Sequence, residues 1–190
     1  DQEDFYHNSK CHTLLLNDSC GFTLYSILPF LNSKLFWFYL SKTGNVLRGN
    51  YIGVKRKVLE PFPIPSANNI DHALFTDFSK GLLNKYSILQ DSVNSVIQLI
   101  TNKYILQKIS KKLYRWYDLD FKDFVNELKK QKISLTLSEE NEWLNYFNEN
   151  KHKVVDVLTD ISMLEKEQDL LIYQLYELNE EEIKTVEETQ

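Results

Sequence analysis

From Trp143 to Leu178 the chain returns to one helical face every four, then every three, positions: Trp143, Phe147, Asn150, Val154, Val157, Ile161, Leu164, Gln168, Leu171, Leu175 and Leu178. Ten alternating steps without a break form a heptad seam, and only a long helix turns such a seam to one side. Asn150 and Gln168 are its polar occupants, and polar seam residues fix register at some loss of stability. An earlier stretch carries the same pattern through Leu82, Tyr86, Leu89, Val93, Val96 and Ile100, then drifts through Ile105, Ile109 and Leu113. At about 1.5 Å per residue the later helix is about 50–60 Å long and the earlier about 50 Å. Helices of similar length with facing seams pack as an antiparallel coiled-coil hairpin. Between them, a shorter helix begins near Asp118 or Asp120 with Phe121, Phe124, Val125 and Leu128 inward, followed by an extended link from Ile133 to Leu137. Ser138, Glu139 and Glu140 supply a capping hydroxyl and first-turn acids for the second long helix.

Upstream the pattern changes. Residues 11–16 read as a short strand running into the turn cluster Asn17 to Gly21. Leu24, Ile27, Leu28, Leu31, Leu35, Phe38 and Tyr39 keep helical spacing, with Pro29 either opening that helix or kinking it. Gly44 is a natural stop. Glu60-Pro61-Phe62-Pro63-Ile64-Pro65 cannot lie in a central strand and reads as an extended edge or exit segment. The expected class is α+β, mostly helical. Residues 1–67 form a small, partial α/β lobe, and residues 68–190 form a helical spacer with the hairpin and an acidic C-terminal tail.

A hydrophobic content of 43% with 5 Gly and 4 Pro excludes a disordered or collagenous chain. No window approaches the roughly 18 uninterrupted apolar residues of a membrane span, so no membrane partner is expected. The chain opens on Asp1-Gln2-Glu3-Asp4 without a signal-type stretch, which reads as a cut inside a larger protein. Two cysteines point to a reducing, cytoplasmic setting. His7, Cys11, His12 and Cys20 do not fit paired zinc-ligand spacing, so no metal is expected.

The net charge of −5 argues mildly against nucleic acid until it is divided: residues 1–65 carry +2, residues 66–135 carry +4 and residues 136–190 carry −11. The acidic excess lies on the second long helix and on Glu180 to Glu188, where a solvated helix face accounts for it.

Several chemistries are absent. No two prolines adjoin, which excludes the Asn/Asp-Pro-Pro-aromatic motif of adenine amino-methyltransferases. No Gly-x-Gly, phosphate-cradling loop, Gly-x-Ser-x-Gly or His-Glu-x-x-His occurs. Asp120-Phe121-Lys122 and Glu127-Leu128-Lys129 imitate a nuclease triplet, but both lie in helical pattern without a partner carboxylate to hold an ion. The chain as given is expected to catalyse nothing and to bind no cofactor.

One constellation remains. Lys42, Arg48, Lys55, Arg56 and Lys57 lie in a stretch without an acid, punctuated by Gly44, Gly49 and Gly53. Thr43, Asn45, Asn50 and Tyr51 are interleaved with them. Cations neutralise phosphates and release counterions. Arginine and asparagine present donors to base edges in the major groove. Arg48 and Asn50 are therefore candidate base readers, and Lys42, Lys55, Arg56 and Lys57 candidate phosphate contacts, with Thr43, Asn45 and Tyr51 completing the set. Trp37, Tyr39, Trp116 and Tyr117 read as core aromatics rather than base-stacking platforms.

Specific words strengthen this. Leu31-Asn32-Ser33-Lys34-Leu35-Phe36-Trp37-Phe38-Tyr39, then Leu47-Arg48-Gly49-Asn50-Tyr51, then Lys55-Arg56-Lys57-Val58-Leu59-Glu60-Pro61-Phe62-Pro63-Ile64-Pro65, and finally Leu170-Leu171-Ile172-Tyr173-Gln174-Leu175-Tyr176-Glu177-Leu178-Asn179-Glu180-Glu181-Glu182 stand in order along the chain. Together they resemble the TaqI-like C-terminal specificity (target-recognition) domain of type IIG-like restriction–modification enzymes and adenine-specific DNA methyltransferases. The long hairpin is similar to that of type I specificity subunits. Position 179 is Asn where the family ending has Thr, and Pro29 is an unusual insertion in the first helix. The resemblance implies double-stranded DNA as partner, together with a methyltransferase domain in the same or another chain. It places S-adenosylmethionine, and magnesium where a nuclease is present, in the parent enzyme, and it implies that the first half of the recognition domain lies upstream. The different reading left open is a helical protein-interaction spacer that docks the recognition lobe onto a methyltransferase or other subunit.

Overall fold

The computed structural model describes residues 15–46, 48, 49, 51–104 and 108–189. Its helices are α1 (Leu24–Leu31), α2 (Lys34–Thr43), α3 (Arg56–Leu59), α4 (His72–Lys103), α5 (Lys111–Tyr114), α6 (Phe121–Lys130), α7 (Leu137–Leu175) and α8 (Glu180–Glu187). Strands β1 (Asn45–Val46) and β2 (Ile52–Gly53) pair antiparallel between α2 and α3. The protein is therefore mostly helical with one small sheet among the described residues. Two compact units divide the chain: residues 15–80 with 165–189, and residues 81–164.

In the first unit, the stretch read as one helix from residue 22 to 40 is two. Thr23 caps α1 in a reciprocal pair with Ser26, and Ser33 caps α2 by accepting the Phe36 N–H at 3.1 Å. Ser33 also donates to the Phe30 carbonyl at 2.8 Å, so one hydroxyl ends the first helix and starts the second. Pro29 sits inside α1 and neither opens nor ends it. Its missing N–H leaves the Tyr25 carbonyl without the usual helical donor, and the Ser79 hydroxyl supplies one at 2.6 Å. The strand expected at residues 11–16 falls largely outside the described residues, and Leu15 and Leu16 carry no regular structure. Asp18–Cys20 forms a 3-10 turn closed by Gly21 at φ 73°.

Two apolar clusters hold this unit. Phe30, Ile70, Phe75 and Ile172 form one, with the Phe30 and Phe75 rings stacked at 5.0 Å. Phe36, Leu40, Val58 and Phe62 form the other. Polar ties join the elements. Gln168, buried on α7, donates to the Pro29 carbonyl at 3.4 Å. Asp169 accepts the Lys34 backbone N–H at 3.0 Å, at the first turn of α2. Helix α8 is capped by Asn179 with Glu182, buries Val186, and presents Glu187 to the Lys34 ammonium and to the Tyr173 hydroxyl, the latter at 2.8 Å. Burial pushes the Asp169 carboxyl up to about 6, against the pull of Lys34, and Glu187 and Glu165 add to the rise. Burial pushes Glu187 the same way, but its bonds to Lys34 and Tyr173 outweigh that and hold it below the usual range.

The second unit contains the expected antiparallel pairing. Lys85 bonds Asp160 at 2.6 Å, Lys103 meets Glu139 at 3.3 Å, and the Tyr104 and Trp143 rings lie 6.5 Å apart. Partner numbers fall on α7 as they rise on α4, which defines opposed directions. The seam is buried from Val93 onward, where Val93, Val96 and Ile100 meet Trp143, Phe147 and Val154 in one cluster with Phe124, Val125 and Leu128 of α6, whereas Tyr86, expected in the same seam, is exposed. Trp116 is fully buried there and donates its indole N–H to the Val93 carbonyl at 3.3 Å. At 39 residues α7 is about 58 Å long. Asn150 donates to the Tyr146 carbonyl of its own helix at 2.8 Å, and Gln168 reaches α1, so neither polar seam residue bonds the other long helix. The start of α7 is capped by Thr136 rather than Ser138: Thr136 and Glu139 exchange backbone-to-side-chain bonds at 2.9 and 3.3 Å, a capping box two residues earlier.

Candidate nucleic-acid interface

The basic stretch 42–57 is a β-hairpin followed by one helical turn, not an irregular loop. Asn45 pairs with Gly53 and Val46 with Ile52, and the described turn residues Arg48 and Gly49 stand between the two strands. Val46 and Ile52, flanking a stretch that contains Gly49, carry the hairpin signal that a loop reading passes over. Arg48 and Gly49 are described in that turn, with Gly49 at φ 86°; Asn50, the second candidate base reader, lies outside the described residues. Arg48 is exposed, Tyr51 is 72% exposed and Val46 is 71% exposed.

Gly44 starts the hairpin for a reason that its role as a helix stop does not capture. Its φ of −74° is open to any residue. A Cβ there would instead lie 2.3 Å from Ile52 Cγ2 and 2.6 Å from the Leu40 carbonyl oxygen. The ribbon leaves α2 so closely that only glycine fits. Below it the second cluster anchors both ends: Ile52 packs with Leu40, Val58 and Phe62, and the Tyr39 hydroxyl donates to the Val58 carbonyl at 2.8 Å. Phe62, between two prolines of the exit segment, meets Phe36 edge-on at 4.8 Å and Tyr39 at 5.1 Å. Tyr176 of α7 donates to the Pro63 carbonyl, and burial raises its phenol to about 12.

The candidate cations sit on this support. Lys42, in the last turn of α2, lies 5.4 Å from the Phe38 ring centroid. Thr43 is engaged locally, donating to the Tyr39 carbonyl at 2.7 Å, and Asn45 is exposed at the base of the ribbon. One turn of α3 buries Val58 and leaves Lys55, Arg56 and Lys57 exposed. Arg56 bonds Glu60 at 2.6 Å. That pair is exposed at both ends, so it holds the guanidinium weakly against a competing phosphate. The structure thus gathers Lys42, Thr43, Asn45, Arg48, Tyr51, Lys55, Arg56 and Lys57 on or beside one short ribbon.

Of the aromatics, Trp116 is core, and Tyr39 and Tyr117 are half-buried. Trp37 differs from the core expectation at 45% exposure, because Phe36 and Leu40 turn the neighbouring face of α2 inward. Among the described residues no group of three or more His, Cys, Asp and Glu is placed to hold a metal ion, and no helix is long and apolar enough to cross a membrane. His7, Cys11 and His12 lie outside the described residues.

No curated protein and no solved structure matches the chain. A family profile described as "Domain of unknown function (DUF8810)" matches residues 68–172, from just before α4 to near the end of α7. That span excludes the hairpin and covers more than half of the chain, and the protein therefore belongs to this domain family of unknown function.

Proposed function

We propose that the chain reads DNA sequence as the C-terminal specificity part of a restriction–modification enzyme whose parent is an S-adenosylmethionine-dependent adenine methyltransferase. The observation that carries this is the anchored ribbon. A two-stranded β-ribbon is narrow enough for the major groove. This one carries Arg48 at its tip and Lys42, Lys55, Arg56 and Lys57 at its flanks, all exposed. The tip arginine suits base edges and the flanking cations suit phosphates, so the two sets fail differently. In the intact parent, the triple change Lys55→Ala, Arg56→Ala, Lys57→Ala weakens binding to every duplex and lowers the salt slope by about 3, close to 1 per phosphate contact. Arg48→Ala leaves non-specific binding in place and narrows the gap between cognate and non-cognate sites by about 1–3 kcal/mol. Filter binding at several salt concentrations reads both. A triple variant that binds like the wild type sinks the assignment.

The protein-interaction reading is favoured by a separate observation: Leu83, Leu99, Val155 and Met163 of the two long helices are 39–58% exposed. Large apolar side chains left outside a buried seam suit docking onto a methyltransferase domain. The roles are compatible, since one uses the ribbon and the other the helices.

A further inference from the structure

The end of α6 holds a lysine where the backbone favours glycine. Helix α6 finishes in a Schellman motif: the Ile133 N–H bonds the Leu128 carbonyl at 3.1 Å and the Lys132 N–H bonds the Lys129 carbonyl at 2.9 Å. The residue between helix and exit is Lys132, at φ 64°, in the left-handed region that penalises a Cβ. Helix α7 ends in the same motif with Glu177 at φ 54°, so the conformation alone is not informative. The surroundings of Lys132 are. It lines a cleft of about 560 Å³ with Lys103, Tyr104, Lys130, Gln131, Ile133 and Ser134, and among the described residues no acidic side chain lines it.

The donors in this cleft suit one ligand class. Lys103 and Lys130 are each paired with a carboxylate, Glu139 at 3.3 Å and Glu127 at 2.7 Å, which an incoming anion would have to share them with. The Tyr104 oxygen accepts the Trp143 indole N–H at 3.2 Å, which leaves its own proton available to donate. The three lysines, the phenol and the Ser134 hydroxyl that line the cleft are point donors of the kind a tetrahedral anion accepts from. A planar carboxylate would favour the arginine fork, and no arginine lines the cleft.

We infer that the cleft between Lys103, Lys130 and Lys132 is a phosphate-binding site. It stands on residues 81–164 alone and does not depend on the ribbon. Two sources share this chemistry: the phosphodiester of a nucleic-acid backbone, and a free phosphate.

Lys132→Gly separates the ligand role from a structural one. It removes the cation and relieves the backbone, so a merely structural lysine predicts an equal or higher melting temperature and no other effect. Trp143 touches the cleft through Tyr104 and Lys103, so the tryptophan fluorescence of the full chain reports occupancy. The chain is titrated in parallel with inorganic phosphate and with a short DNA duplex. Expected is a saturable change in at least one titration, weakened about fivefold or more by Lys132→Gly while the melting temperature holds or rises. Lys132→Asn, neutral and also tolerant of this conformation, gives the same loss. Weakening in the duplex arm, with the salt slope reduced by about 1, assigns a phosphodiester. Weakening in the phosphate arm alone assigns a free phosphate. No binding in either arm, or binding by Lys132→Gly equal to wild type in both, overturns the site. The Arg48→Ala protein, altered only in the ribbon, keeps the phosphate response whether or not the ribbon reads DNA.

Discussion

In the second unit, thirteen buried apolar side chains drawn from α4, α5, α6, α7 and their links form one cluster, closed by ring contacts among Trp116, Phe124, Trp143 and Phe147. The first unit has instead two clusters of four buried apolar residues, with Ile27, Tyr173 and Val186 buried outside both. Between these smaller clusters its elements are tied by directed bonds, Ser79 to the Tyr25 carbonyl, Gln168 to the Pro29 carbonyl, Lys34 to Asp169, Tyr173 to Glu187 and Tyr176 to the Pro63 carbonyl, whereas in the second unit such ties, as from Trp116 to the Val93 carbonyl, are added to one continuous cluster. Apolar burial is non-directional and suits a long, stiff support. Hydrogen bonds fix orientation, which a short exposed ribbon needs if its tip is to present one side chain at one place. The contrast implies that the second unit fails by losing volume and the first by losing a particular contact.

The strongest way to break that contrast is a cavity in the larger core. Phe147 is 1% exposed and its ring lies 5.0 Å from Phe124 and 5.6 Å from both Trp116 and Phe121. Phe147→Ala should cost about 3–5 kcal/mol and lower the melting temperature, followed by circular dichroism, by roughly 10 °C. A loss below about 1 kcal/mol would mean that the cluster is not what holds this unit together.

A smaller effect of the opposite kind comes from adding one methyl group. Gly44→Ala drives a Cβ into Ile52 and the Leu40 carbonyl, so the ribbon must shift or detach, at a cost of about 1–3 kcal/mol. Hydrogen exchange in residues 45–53 should quicken while the helical signal stays constant. DNA binding should then fall through misplacement of Arg48, although no cation has been removed. Unchanged exchange across the ribbon would show that its attachment to α2 is not what positions it.

How much of this could be read in the chain follows the same division. The seam from Trp143 to Leu175, the antiparallel pairing and the inward face of α6 are periodic, and periodicity survives in a linear string, but the expected last step to Leu178 falls beyond the helix, which ends at Leu175 with Glu177 left-handed. The break at Ser33 was not legible, because Leu24 to Tyr39 keeps one hydrophobic phase across two helices and only the cap geometry separates them. Thr136 outranked Ser138 because its reciprocal partner Glu139 stands three residues on, a spacing visible in the chain but overshadowed by the acids after Ser138. The ribbon's cations were legible as a run without acids. Their placement on paired strands was not, because two strands of two residues each give almost no alternation to read. Lys132 drew no attention because a left-handed lysine looks, in sequence, like any other basic residue near a helix end.

Acid provides the finest test, because among the described residues each unit buries one carboxylate and their shifts have opposite signs. Asp169 in the first unit is raised to about 6, chiefly by burial, from an ordinary value of 3.8. Its contribution to stability is therefore fully present below about 3.8 and is lost as pH rises through about 6. Glu127 in the second unit is lowered from 4.5, first by its bond from Lys130 and also by the Ser110 hydroxyl. Its contribution is present above about 4.5 and is lost as pH falls through the depressed value. At pH 7, Asp169→Asn should stabilise by on the order of 1–2 kcal/mol, since the amide oxygen can still accept the Lys34 N–H without a buried charge. At the same pH, Glu127→Gln should destabilise by about 1 kcal/mol. As pH is lowered, the gain of Asp169→Asn shrinks through the range from 6 to 4. The loss of Glu127→Gln shrinks only below about 4.5, so the two melting-temperature differences approach zero from opposite sides and over different ranges. Differences that fade together over one range would mean that a single global titration governs both, and the two buried carboxylates would no longer distinguish the units.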